Sequence, residues 1–328
     1  MKPEDILNPF KSWHLPFDHW VSDGLGWIVQ NYRPFFQSVK WPIDQLLTTF
    51  AAVLNGIPPV IAIVIVGLIA WQLSGWRLAV QTAGLLIIIG LLGIWGETMT
   101  TLSLVFTAVL FCTIVGIPLG VLAARSARTA AICRPILDTM QTIPSFVYLV
   151  PVVMLFGIGN VPGVIVTIVF ALPPVIRLTT LGIQQVSEEV VEAMRAFGAS
   201  DSQLLFKAQL PLALPSILAG VNQTLMMSLA MVVVASMIAV GGLGQMVLRG
   251  IGRLDVGQAA TGGIGIVLLA IILDRLTQSA MTSSRQFAHV AWYNRGPAGI
   301  VTAVVRTLAA RPASREQLRS DRQQVSNS

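Results

Sequence analysis

The chain has 328 residues, of which 54% are hydrophobic and only 11% are charged, and its formal net charge is +6. Soluble globular proteins carry about 25% charged residues. This composition, with a mean hydropathy of +0.75, therefore excludes a soluble domain and predicts an all-α polytopic membrane protein. The arginines are sparse through the apolar middle and dense after Arg275. That distribution is typical of membrane topology, so we expect membrane lipid and no nucleic acid among the partners.

The first part of the chain differs from the rest. Residues 1–40 are rich in Pro and Trp and contain no continuous apolar run of the kind found in a signal peptide. From residue 42 to 57, apolar residues recur on one helical stripe, which predicts an amphipathic helix on the membrane surface. A helix packed against the membrane spans is the alternative. We expect residues 1–57 to form a periplasmic or interfacial segment.

Seven apolar segments follow, each close to the roughly 20 residues that a bilayer requires. The first two, within residues 58–95, are predicted to be accessory transmembrane helices. Residues 96–278 would then hold about five helices of a core domain, and residues 279–328 an Arg-rich tail. The seven predicted spans are 58–73, 77–95, 98–124, 140–157, 161–183, 212–240 and 259–276.

The distribution of Lys and Arg predicts the orientation of these spans, because cytoplasmic loops carry an excess of positive charge. Positive residues cluster after the third span, after the fifth span and in the tail, which places the N-terminus outside and the C-terminus in the cytosol. Arg249 and Arg253 would lie outside and are a mild exception. The residues that decide the orientation are Arg125, Arg128, Arg134, Arg177, Arg195, Lys207 and the eight arginines from Arg275 to Arg322.

A polar stretch at residues 185–211 interrupts the apolar spans, and local rules predict a helix-turn-helix there. Ser187 is a candidate N-cap, and Gly198 occupies the position of a glycine that ends a helix. Ser200 and Gln203 have the spacing of a capping box for a second helix. Pro211 is expected to prevent simple continuation and to turn the chain back into the membrane. An ordinary interfacial connector is the alternative.

Five residues of this stretch give it a resemblance to a known element. Glu192, Ala193, Gly198, Leu210 and Pro211 are in register with the EAA loop of ABC-importer permeases. The sequence departs from that pattern at Met194 and Ala208, which are apolar replacements on packing faces. The resemblance implies that the loop docks into a cleft on a cytosolic ABC ATPase subunit and couples ATP hydrolysis to transport.

A longer resemblance runs from about residue 40 to about residue 300. The stretches 138–159, 241–260 and 272–278 resemble the glycine betaine/proline ABC-importer permeases, which are MetI-like proteins. This implies a homodimeric channel in the bacterial inner membrane, with two copies of the ATPase and a periplasmic substrate-binding protein. The implied activity is ATP-driven import of osmoprotectants by alternating access. A permease for choline, carnitine or an amino acid is the alternative, and a secondary transporter is a more distant one.

The sequence lacks the motifs of enzymes. It contains no P-loop, HExxH or GxSxG pattern, and its three histidines are scattered. We therefore expect no catalytic residues, cofactor or metal in this chain, with hydrolysis carried by a separate subunit. Arg177 lies near the end of one predicted span, and the adjacent residues Asp274 and Arg275 lie near the end of another. We expect these side chains to snorkel toward the membrane surface.

Two further features bear on a transport pathway. Gly116 and Gly120 have the spacing of a small-residue packing motif, which suits either close helix packing or a moving helix. Phe146, Tyr148 and Phe156 lie in the predicted fourth span and are candidates to line a pathway, because aromatic rings attract quaternary ammonium groups. With only 7% aromatic residues, the chain is expected to form no high-affinity aromatic cage.

Overall fold

The computed structural model describes residues 16–286, so the tail predicted at 279–328 lies mostly outside the described residues. Within residues 16–286 the elements are all helices, in agreement with the predicted all-α class. The α-helices are α1 (Phe17–Gly56), α2 (Pro59–Ser74), α3 (Trp76–Leu91), α4 (Trp95–Arg125), α5 (Ala127–Thr142), α6 (Leu149–Phe156), α7 (Asn160–Gln184), α8 (Glu188–Ala196), α9 (Asp201–Leu204), α10 (Leu210–Ala235), α11 (Leu243–Gly252) and α12 (Val256–Gln286). A π-helical segment, Leu205–Gln209, joins α9 to α10, and 3₁₀ turns lie at Ser145–Tyr148 and Ser236–Ile238.

Among the described residues, four helical rods are long and apolar enough to cross a membrane, or up to six if each of two bent pairs counts as one span. These rods contain the predicted spans 98–124, 161–183 and 259–276, and residues 212–238 of the predicted span 212–240. The helix α3 is apolar but shorter. The count of seven spans and the orientation stay predictions.

The predicted fourth span, 140–157, is wrong as a single helix. The chain bends by 103° between α5 and the segment Ser145–Phe156. Ile143, which precedes Pro144, is extended at φ −70° and ψ 129°, because the proline ring disfavours the helical conformation in the residue before it. Residues 140–157 contain no charged residue, so hydropathy alone did not reveal the break.

The helix that contains the predicted amphipathic segment starts at Phe17, 25 residues before the predicted start at residue 42. Its residues Ile43 and Leu47 are each only 5% exposed and lie in the main core cluster with Leu104 and Leu229. The structure therefore favours the alternative, in which this helix packs against the spans instead of lying alone on the membrane surface.

The helices α4, α7 and α10 pack closely through glycines. A Cβ atom at Gly116 would lie 2.3 Å from Val175 Cγ1, and one at Gly120 would lie 2.6 Å from Thr179 Cβ. On the other side of α7, a Cβ at Gly220 would lie 3.1 Å from the Val175 Cα. Small residues at these positions let the backbones approach, so the glycine spacing at 116 and 120 serves close packing of α4 on α7.

Candidate functional site

The helix α8 forms the first half of the predicted helix-turn-helix. It starts after Ser187, and Glu188 and Glu189 lie in its first turn, where carboxylates favour the helix dipole. The predicted capping bond is wrong, because the Ser187 side chain makes no hydrogen bond to this turn. The start of α8 is therefore favoured by the charges of its first turn and not by a side-chain cap.

The end of α8 confirms the prediction for Gly198. This residue has a φ of +77°, a conformation that glycine adopts without the steric penalty of a Cβ atom. Its N–H donates to the carbonyl of Arg195 at 2.9 Å, and the N–H of Ala199 donates to the carbonyl of Met194 at 3.0 Å. These two bonds form a Schellman motif, which fixes the angle at which the chain leaves α8.

The start of α9 confirms the predicted capping box. The Gln203 N–H donates to Ser200 Oγ at 3.3 Å, and the Ser200 N–H donates to Gln203 Oε1 at 3.0 Å. The apolar residues Leu204, Leu205 and Ala208, on one side of this segment, are all buried. The second half of the loop is therefore anchored to the body of the protein.

The prediction that Pro211 turns the chain is wrong. The segment from Asp201 to Ile238 is one continuous 38-residue rod, in which Leu210 N–H donates to the carbonyl of Leu205, five residues earlier. Pro211 follows this π-helical turn as the second residue of α10. The loop is therefore joined to a membrane helix without a hinge of irregular chain.

The loop leaves a set of side chains exposed that the chain itself does not cover. Glu192 and Ala193 are exposed, Phe197 is 91% exposed, and Phe206 is 67% exposed. We call these four residues the loop surface. Large exposed apolar side chains rimmed by polar residues mark interaction sites, so the loop surface has the composition of a docking face.

The remaining residues of the sequence motif have different environments. Leu210 packs against a buried cluster of Ile183, Leu205, Ala213 and Ile217, whereas Pro211 is exposed. Of the two residues that depart from the motif, Met194 is half-buried and Ala208 is buried. Both departures therefore lie on faces that contact this chain, and neither changes the loop surface.

A cavity of about 400 Å³ separates α8 from the adjacent ends of α4 and α7. Its charged lining residues are Arg125, Glu188, Arg195 and Asp201. Because this space lies between α8 and the body, the helix is supported mainly through its turn and α9, which are its neighbours along the chain.

The three aromatic residues proposed for a pathway do not form a cage. Phe146 is 58% exposed, whereas the Tyr148 hydroxyl donates to the carbonyl of Met140 at 2.9 Å. Phe156 packs edge-on against Phe36 of α1, with ring centroids 5.4 Å apart. Tyr148 and Phe156 thus serve local packing around the bend that follows α5.

The charged residues near span ends form contacts that sequence reasoning missed. Arg177 Nη2 lies 2.5 Å from Asp138 Oδ1 on α5, and the two side chains are 43% and 65% exposed. Asp274 accepts hydrogen bonds from Asn222 at 3.3 Å and from Gln278 at 2.7 Å. Snorkelling was expected for Arg177 and Asp274, but both have protein partners.

The exposure of the ion pair leads to a prediction of a small effect. Exposed pairs contribute only about 0–1 kcal/mol. We expect Asp138→Asn and Arg177→Gln to lower the midpoint of thermal unfolding in detergent by no more than a few degrees, and the double variant to behave like either single one. A large drop in the unfolding midpoint of one single variant, reversed in the double variant, would show that the pair contributes more than this.

The sequence matches the family described as "Binding-protein-dependent transport system inner membrane component" over residues 116–282. It is 60% identical over 91% of its length to the glycine betaine/proline betaine transport system permease protein ProW of Escherichia coli, 84% of which is covered. The chain belongs to this family. A second relative of this permease is the glycine betaine transport system permease protein OpuAB of Bacillus subtilis, which is 40% identical over 81% of this chain and 94% of its own.

A solved structure of the MetNI methionine ABC transporter in an inward-facing conformation gives a TM-score of 0.55 at 22% identity. The match covers 59% of this permease and 96% of the other chain, and it shows the MetI-like fold. Family membership makes the protein a multi-pass inner-membrane permease component and implies an ATPase and a substrate-binding protein as partners. The family match starts within α4, so α1 to α3 lie outside it.

Proposed function

We propose that this chain is the membrane-spanning permease subunit of an ATP-driven importer for glycine betaine and proline betaine. The observation that carries the proposal is the 60% identity, over 91% of the chain, to a permease named for these solutes. Relatives named for glycine betaine/carnitine in Listeria monocytogenes and for trimethylamine N-oxide in Ruegeria pomeroyi are 42% and 35% identical. All of these solutes carry a methylated nitrogen, so any other substrate is expected to share that chemistry.

The proposed assembly is a homodimer of this chain with two copies of the ATPase in the cytosol and the binding protein in the periplasm. The N-terminus lies outside and the C-terminus inside. Residues 1–57 form the N-terminal segment, residues 58–95 the accessory helices, residues 96–278 the permease core and residues 279–328 the cytosolic tail. Selection of the solute belongs to the binding protein, and this chain supplies the passage and no catalysis.

The loop surface is the proposed contact with the ATPase. The Glu192 carboxylate makes polar contact with the ATPase cleft, and the small side chain of Ala193 permits close approach. Phe197 supplies apolar area, because a 91% exposed phenyl ring gains free energy when a partner covers it. Gly198 provides the turn that presents these residues together.

Movement of the loop reaches the membrane through the continuous rod of α9, the π-helical turn and α10. Leu210 packs on Ile183 of α7 through their shared cluster, and Pro211 lies directly after the π-helical turn that sets the direction of α10. ATP binding closes the ATPase dimer and moves both loops, which opens the passage to the periplasm, and hydrolysis restores the inward-facing state. The ATPase shifts this equilibrium only by binding one loop position more tightly than the other.

Uptake of radiolabelled glycine betaine into proteoliposomes tests the proposed function. The vesicles contain this chain with its ATPase, loaded binding protein is added outside, and ATP is enclosed or omitted. We expect uptake only with enclosed ATP. Uptake without ATP that collapses with an ion gradient would indicate a secondary transporter. ATP hydrolysis stimulated only by a binding protein loaded with another solute would retain the importer and reject the substrate.

A further inference from the structure

A cavity of about 340 Å³ lies between α1, the first turns of α4 and the first turn of α7. We call it the mouth cavity, because the proposed orientation places it at the periplasmic end of the core. Its polar lining includes Lys40 and Asp44 of α1, Thr100 and Ser103 of α4, and Asn160 of α7. The cavity therefore depends on α1, which lies outside the part of the chain that matches the family.

Two opposite charges share this cavity without neutralising each other. Lys40 and Asp44 are four residues apart on α1, and both are half-buried. Lys40 Nζ lies 3.5 Å from the carbonyl oxygen of Phe156, at the end of α6. Among the side chains described within residues 19–281, no donor is hydrogen-bonded to the Asp44 carboxylate, and no ion pair joins it to Lys40. Partly buried charges without an opposite charge nearby are costly, and a ligand of complementary charges would offset that cost.

The other polar groups of the cavity are held in place by the fold. Ser103 Oγ donates to the carbonyl of Thr100 at 2.7 Å, and Thr100 Oγ1 donates to the carbonyl of Gly96 at 2.9 Å. Asn160 Oδ1 accepts from the Gly241 N–H at 2.8 Å, which joins α7 to the chain before α11. The walls of the cavity are therefore fixed by α4 and α7, while α1 supplies both charges.

We propose that the mouth cavity is a weak binding site for a zwitterion with a cationic nitrogen and a carboxylate. Lys40 faces the carboxylate of the ligand, and Asp44 faces its nitrogen. Side chains four residues apart on a helix have Cβ atoms about 5–6 Å apart, a separation suited to a small molecule with both charges. The inference rests on the proposed import function for the identity of the zwitterion, a betaine released by the binding protein.

The lining of the cavity also sets the strength of binding. No aromatic ring is among its lining residues within the described part of the chain, so a quaternary nitrogen meets a single carboxylate and no cation–π face. A quaternary nitrogen has no N–H group and cannot donate a hydrogen bond to Asp44. Weak binding suits a site through which the solute passes and leaves most of the discrimination to the binding protein.

Saturation-transfer NMR of the glycine betaine N-methyl protons tests the site. The sample is the permease–ATPase complex in nanodiscs, without binding protein or nucleotide. We expect a signal for the parent complex at millimolar ligand, and about tenfold weaker binding in Asp44→Asn and in Lys40→Gln, the effect of losing one charge interaction. Asp23→Asn is the matched control, because Asp23 is an exposed carboxylate on the same helix outside the cavity.

Competition with choline tests the assigned roles. Choline has the quaternary nitrogen but a hydroxyl group in place of the carboxylate, so the parent complex should prefer glycine betaine and Lys40→Gln should lose that preference. Absence of a parent signal, or equal signals in the parent and Asp44→Asn, would overturn the proposal. An effect of Lys40→Gln alone, together with a lower unfolding temperature, would show that Lys40 only anchors α1 to α6 and would also overturn it.

Uptake measured in parallel separates this proposal from the proposed function. ATP-dependent uptake by a parent complex that gives no NMR signal would reject the mouth cavity and retain the importer. An NMR signal that depends on Lys40 and Asp44 in a complex without uptake would support the site and reject import of this solute. In an active importer, Asp44→Asn should lower uptake while hydrolysis stimulated by loaded binding protein persists.

Discussion

Replacement of Gly198 by Asp should abolish ATP-dependent uptake while the chain still inserts into the membrane. The backbone at Gly198 has a φ of +77°, and a Cβ atom built there meets no other atom within 4 Å. The isolated permease therefore bears only the conformational penalty of a left-handed residue, about 1 kcal/mol. The loop surface is exposed, so the larger effect comes when the ATPase cleft closes around the turn and meets a new carboxylate.

The measurement for this variant has three parts: the amount of protein in the membrane, binding of the ATPase, and uptake. We expect normal amounts of protein and uptake below about a tenth of the parent value, a loss equivalent to ~1.4 kcal/mol of coupling. Gly198→Asn is the control, because Asn has nearly the same volume as Asp and tolerates the left-handed conformation but carries no charge. Normal coupling in Gly198→Asp would show that this loop is not the contact with the ATPase.

Replacement of Gly120 by Val should strongly destabilise the fold. A Cβ atom at this position would lie 2.6 Å from Thr179 Cβ and 2.9 Å from the carbonyl oxygen of Ile176. The second contact is with backbone, so it cannot be relieved by rotation of a side chain. Overpacking of a close interface costs about 1–3 kcal/mol, and here α4 must move away from α7 and weaken the hydrogen bond from Thr180 Oγ1 to the Gly120 carbonyl.

Thermal unfolding and size-exclusion profiles in detergent measure this effect. We expect a strongly lowered unfolding temperature or aggregation for Gly120→Val. Gly67→Val is the matched control, because Gly67 lies within α2 and a Cβ atom there meets nothing within 4 Å. Equal stability of the two variants would contradict close packing of α4 on α7. It would favour the alternative, in which the glycines at 116 and 120 allow α4 to move.

Local features of the loop were predictable from the sequence because they depend on residues close together in the chain. Gly198 ends α8 in a left-handed conformation, and Ser200 and Gln203 form a capping box. Each feature satisfies backbone groups at a helix end within a few residues. The prediction for Ser187 was right about its position before α8, but its side chain makes no capping hydrogen bond.

The prolines predicted the direction of the chain less well than the caps did, because the effect of a proline depends on the surrounding structure. At Pro144 the chain bends sharply, whereas at Pro211 it continues through a π-helical turn. The difference at Pro211 comes from packing: Leu205, Ala213 and Ile217 on both sides of it are buried against Ile183. That burial favours one continuous rod over a break, and the sequence near the proline does not report it.

The sequence by itself determined the membrane class, the four long apolar rods, and the helix ends at Gly198 and Ser200, because hydropathy and helix capping depend on residues close together in the chain. Only the tertiary structure decided which polar groups the charged side chains contact. Arg177 finds Asp138 across 39 positions, and Lys40 reaches Phe156 across 116. The mouth cavity likewise exists because α1 packs against α4 and α7. Such contacts depend on the burial of helix faces by distant segments, which no local pattern in one sequence encodes.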